Sequence, residues 1–145
     1  MTISTSARTA GPYTGTGLVS AYAFGFKIFQ HSDLAVVQTN TSGVRFTLVL
    51  NVDYTVGLSI NQNASPGGVV YLAAALPSGY LLDIASAVPA TQPAALTNQG
   101  GFFPKVIEDA LDRLTILEQQ SSQILSVQAL RVPEATGVPL LPSAA

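Results

Sequence analysis

The 145-residue chain has no cysteine and a single histidine. That excludes disulfides and thiolate metal sites. Charge is scarce too: six basic and eight acidic residues give a net charge of −2. The basic residues are scattered, whereas a nucleic-acid binder needs a clustered cationic footprint to displace counterions. The same scatter argues against an anionic membrane surface. Apolar residues make up 48% of the chain, but in short alternating runs. None approaches the roughly 18–20 apolar residues of a membrane-spanning helix. The N-terminus, MTISTSARTAGPY, lacks the apolar centre of a signal peptide, and residues 1–17 read as an extended arm. So few charges on so small a chain point to a surface partly covered by other molecules.

What is present begins with a period of two, the mark of half-buried strands, across residues 18–88. In VSAYAFGFKIF, Tyr22, Phe24, Phe26 and Ile28 share one face, with Ala21, Ala23, Gly25 and Lys27 on the other. DLAVVQT follows. VRFTLVL aligns Val44, Phe46, Leu48 and Leu50, and DYTVGLSI aligns Tyr54, Val56, Leu58 and Ile60. VVYLAAAL and YLLDIASAV complete the set, the latter with Tyr80, Leu82 and Ile84 on one side. Six short strands separated by Gly, Pro, Asn and Ser clusters predict an antiparallel β-sandwich or small barrel.

Pro89 ends this pattern, and residues 89–103 form a linker with a second proline and a Gly pair. A helix is expected over residues 104–129. Pro104 suits its first turn, and Glu108 and Asp109 lie near its positive end. Six of the fourteen charged residues fall between Gly101 and Leu125. Phe103, Ile107, Ala110, Leu114, Leu117, Ser121 and Ile124 recur at spacings of four and three, a heptad seam that Leu111 and Leu125 widen. At 1.5 Å per residue the helix would run roughly 39 Å, longer than so small a sheet domain easily covers. Two arrangements fit: a helix packed on its own sheet, or a parallel coiled coil between identical chains. The unbroken seam, the Gly pair, and polar Ser121 and Gln128 favour the second. Residues 130–145, with three prolines, read as an extended tail.

The supply of catalytic groups is poor. His31 lies two residues from Asp33 in a turn and reads as a solvated loop histidine rather than part of a triad. Asp33, Asp53 and Asp83 are spread singly, without calcium-loop spacing. Glu108 and Asp112 share a helix face as an acid–base pair would, but they read as an exposed flank, with Glu108 able to pair with Lys105, and Asp109 with Arg113. GPYTGTG, from Gly11 to Gly17, lacks the Lys-Ser/Thr ending of a phosphate loop and reads as a turn. No catalytic residue, cofactor site or metal site is expected.

An ordered series of short motifs runs through this pattern. Tyr13-Thr14-Gly15-Thr16-Gly17 is followed by Phe24-Gly25-Phe26, Asp53-Tyr54-Thr55-Val56, Pro77-Ser78-Gly79 and Pro89-Ala90-Thr91-Gln92. Asn98-Gln99-Gly100, Phe103, Glu108 and Ala110-Leu111-Asp112-Arg113-Leu114-Thr115 close it. The series, from residue 13 to about 120, resembles the N-terminal, tail-attaching domain of T7-like phage tail fibres and tailspikes; FFPKVIEDALDRLT is its most specific part.

The resemblance implies a homotrimeric virion protein. Its β-rich domain would dock on the proteins of a short phage tail, and its helix would open a shaft towards a receptor-binding part. The trimer interface would comprise Phe103, Ile107, Ala110, Leu111, Leu114, Leu117, Ser121 and Ile124. Where relatives often carry an arginine after the Ile of the last strand, this chain has Asp83-Ile84-Ala85-Ser86, so a docking ion pair there is not expected. The expected role is an adaptor that anchors a fibre or spike to the tail, with the distal part on another polypeptide; a fragment of a longer fibre is the other form of this reading. The competing role is direct host binding, glycan or protein, through a platform of Tyr13, Tyr22, Tyr54 and Tyr80.

Overall fold

The computed structural model describes residues 3–92 and 103–126. Seven strands come first: β1 (Thr9–Thr14), β2 (Ala21–Phe24), β3 (Leu34–Thr39), β4 (Arg45–Thr47), β5 (Tyr54–Leu58), β6 (Gly68–Leu72) and β7 (Leu81–Ser86). A 3₁₀ turn, His31–Asp33, precedes β3, and one helix, α1 (Pro104–Ile124), follows. The strands form two antiparallel sheets, ordered β1-β7-β3-β4 and β2-β6-β5.

Both sheets feed one core. Tyr22, Phe24, Tyr54 and Val70 from the smaller sheet meet Leu34, Val36, Leu82 and Ile84 from the larger. The two-residue period explains the register: Ile84 pairs with Ala10 on one side and Val36 on the other, so alternate residues of three strands point inward together. Pairing of β2 stops at Phe24, yet Phe26 and Ile28 stay fully buried from irregular chain beyond it.

Several expectations need adjusting. The N-terminal arm is not free chain throughout, because Thr9–Thr14 pairs with β7 as an edge strand. Its TAGPYT sequence hid it. The register shifts between Ala10 and Tyr13, where Pro12 offers no N–H and Gly11 takes a φ of +108°. The face expected in VRFTLVL splits: the strand covers only Arg45–Thr47, Val44 and Phe46 are exposed, and Leu48 and Leu50 pack on the core. The chain then turns, with the Asp53 carboxylate accepting the Val49 N–H at 2.8 Å. Pro104 does open the helix, but no acidic residue lies in its first turn. A helix dipole acts mainly on that turn, so Glu108 and Asp109 sit too far along for the role expected of them. The end of the expected helix, most of the linker and the whole expected C-terminal tail lie outside the described residues.

Candidate functional site

The helix is free of Gly and Pro after Pro104 and carries three Leu, three Gln and two Glu, so its formation follows from propensity. Which side it turns inward does not. It lies against the start of β1, the end of β7 and the segment after β2, and it is held there by polar side chains. Asp112 accepts from Lys27 Nζ at 2.6 Å, with both groups buried. Arg8 Nε donates to Gln119 Oε1 at 2.7 Å. Gln120 Oε1 accepts from the Ser86 hydroxyl at 2.6 Å and from the Val88 N–H at 3.0 Å. Gln123 donates to Thr9 Oγ1 at 2.9 Å, and Arg113 donates to the carbonyls of Pro89 and Thr91, both at 2.8 Å. Ile116 is the one apolar side chain of the described helix fully buried on this face.

Lys27 was expected on a strand face opposite the core; it lies instead in the irregular chain after β2, buried, where its ammonium is satisfied by Asp112, by Asn63 Oδ1 at 2.6 Å and by the more distant Asp109. Asp112 is thus no solvated flank residue. Arg8 is buried and forms no ion pair with a carboxylate among the described residues; the carbonyls of Lys27 and Thr5 and the Gln119 amide oxygen take its donors. Burial pulls the guanidinium below its ordinary value. The expected Asp109–Arg113 pair is replaced by Lys105–Asp109 at 2.9 Å, while Arg113 turns to the two carbonyls.

The heptad seam points nearly the other way. Phe103, Leu111 and Leu114 are 65%, 59% and 64% exposed, and Ile124 and Ser121 are exposed with them. Ile107, Ala110 and Leu117 are half-buried along the same stripe. Beside it runs a groove of about 640 Å³, floored by Val106, Ala110, Leu114 and Leu117 and walled by Phe29, Pro89, Ala90 and Thr91. Asp109, Arg113, Gln30 and Gln92 add its polar groups.

The residues weighed for chemistry are spent on structure. The Asp33 carboxylate accepts the N–H groups of Phe29 and Gln30, while His31 is exposed in the same turn. In the glycine-rich stretch, the N–H groups of Gly15 and Gly17 donate to the carbonyls of Tyr80 and Leu76 at 2.7 and 2.9 Å, so they do not cradle a ligand. Among the described residues there is no cluster of three or more His, Cys, Asp or Glu that could hold a metal ion. No described helix is long and apolar enough to cross a membrane.

A polar-docked helix with its leucines outside is what the sequence alone did not establish, and a known protein aligns with most of this chain. Over 133 residues, 92% of its length, the chain is 39% identical to the tail spike protein of Salmonella phage epsilon15. The chain is related to a phage tail spike, a virion component. It spans 12% of that relative's length. No protein-family model matches it.

Proposed function

We propose that this tail-spike-related chain is a trimeric adaptor domain: its sheet region docks on phage tail proteins and its helix bundles with two other copies, leading towards a distal fibre or spike. The role is structural and needs no catalytic residue and no cofactor. The observation that carries the reading is the inverted helix. Its polar side is committed to its own domain, and its apolar seam faces outward. Full burial of a leucine or phenylalanine side chain stabilises by about 1.5–3 kcal/mol, and Phe103, Leu111, Leu114 and Ile124 leave most of that unrealised in a single chain. A three-helix seam would realise it. Phe46, Val49 and Val52, exposed around the turn between β4 and β5, offer a further apolar surface for a tail protein.

The test is the solution mass of the full chain by light scattering. The expected mass is three times 15.0 kDa, falling to one chain in Leu114→Asp with the β circular-dichroism signal kept. A wild-type monomer at high concentration would sink the proposal. The tyrosine platform receives no support: Tyr22 and Tyr54 are buried, and Tyr13 and Tyr80 are half-buried against the core.

A further inference from the structure

We infer that the groove beside the helix is a socket for a second copy of the chain, and that it receives the Leu111 edge of a parallel neighbour. The inference rests on the trimeric reading above and goes beyond it in naming the sheet domain's own contribution to the contact.

The seam fixes the heptad frame. With Ile107 and Leu114 at a, and Ala110 and Leu117 at d, Val106 and Arg113 fall at g, and Leu111 and Glu118 at e. The two flanks are built differently. The g flank is the groove side: Val106 and Arg113 line it, facing Phe29 and Pro89. The e flank is open, with Leu111 and Glu118 exposed and Glu118 in no ion pair among the described residues. In a parallel bundle a g residue meets the e residue of the following heptad in the next chain. Val106 then meets Leu111, and Arg113 meets Glu118: apolar against apolar, cation against anion. An antiparallel pair would set g against g and e against e, which brings Arg113 to Val106 or Gln120 and Glu118 to Leu111. Charge complementarity therefore selects the parallel arrangement.

The fit is also lateral. One flank of each chain is a socket and the other is an edge, so the contact is heterologous and closes only as a ring. Arg113 is held for it. Its Nε and one terminal nitrogen are fixed on the Thr91 and Pro89 carbonyls, and its guanidinium lies 5.8 Å from the Phe29 ring centroid. The next g residue, Gln120, is held by Ser86 and Val88, which confines the matched stretch to the first half of the helix.

The test takes advantage of a chain without cysteine. Full-length Val106→Cys and Leu111→Cys chains are prepared separately and co-expressed, then treated with a short bismaleimide. The expected result is a cross-link in the co-assembled sample and none in either variant alone. Cross-linking within the Val106→Cys sample alone, or no cross-link in a co-assembled sample whose mass is that of a trimer, would overturn the socket while leaving the trimer standing. A monomeric wild type would overturn both. Alongside, Glu118→Arg should raise the concentration needed for half-assembly by about tenfold, and Glu118→Asp, which keeps the charge, should assemble nearly as the wild type does. A Glu118→Arg chain that assembles like the wild type counts against the Arg113 contact.

Discussion

The interior ion pair makes the sharpest quantitative case. Replacing Lys27 by Met keeps most of the stem but removes an ammonium that lies 2.6 Å from both Asp112 Oδ2 and Asn63 Oδ1, with Asp109 Oδ1 at 3.9 Å. Breaking a buried pair from one side costs about 3–5 kcal/mol, because the remaining charge has already lost its water. K27M belongs within that range, since it takes the ammonium from the buried Asp112 carboxylate while the part-exposed Asp109 keeps Lys105. Asp112→Asn should cost about half as much, because Asn63 and Asp109 stay on the ammonium. Lys27→Met with Asp112→Leu should recover most of the loss, since an apolar pair of similar volume removes both desolvation penalties. For a domain of this size K27M corresponds to a fall in Tm of roughly 12–20 °C. The assay is urea and thermal unfolding followed by circular dichroism at one fixed protein concentration, because any assembly makes the midpoint concentration-dependent. The reasoning is refuted if Asp112→Asn costs as much as Lys27→Met, or if both cost less than about 1 kcal/mol.

Three further outcomes follow from packing and titration. Ile116 is fully buried, so Ile116→Ala should destabilise by about 2–4 kcal/mol in urea unfolding and loosen the helix first; a loss below 1 kcal/mol, on the scale of Ile→Val, would mean the helix is not docked as described. Gly67 has a φ of +104°, and a Cβ there would run into the Phe24 carbonyl, so Gly67→Ala should cost more than about 2 kcal/mol in the same assay. Burial raises the phenols of Tyr22 and Tyr54 above their ordinary value. The unfolded chain ionises them near pH 10, so their contribution to stability is whole below that pH and is lost as pH rises through the folded values. Phenolate absorbance from these two should therefore appear together with loss of the β signal, and full ionisation of an intact fold would contradict their burial.

The strand alternation carried much of the fold to the surface of the sequence. Tyr22, Phe24, Phe26 and Ile28 needed only a two-residue period to be placed in the core, and Leu82 and Ile84 likewise. The edge strands were harder. β1 contains Gly11 and Pro12, which read as a break, and β4 is three residues long at the open side of a sheet. The helix was legible as a helix and its seam as a seam. The docking face was not, because periodicity treats a polar residue as a solvated one. Lys27 and Asp112 are 85 positions apart, and no local pattern records such a partner. One signal was available: Gln119, Gln120 and Gln123 put uncharged amides on a face that a solvated helix usually fills with Lys and Glu. Amides bond in both directions, and here they do so with Arg8, Ser86, Val88 and Thr9.

That way of attaching the helix has a mechanical consequence. A greasy face can roll against its support at little cost, since dispersion contacts carry no direction. A face held by hydrogen bonds to Lys27, Arg8, Ser86 and Thr9 resists rolling, since a few tens of degrees of rotation would misalign several of them together. The helix behaves like a splined shaft in its hub: twist applied along its axis passes to the β-sheets instead of dissipating at the joint. Leucine and arginine flanks are thereby presented at one azimuth, fixed by groups on the opposite side of the same helix.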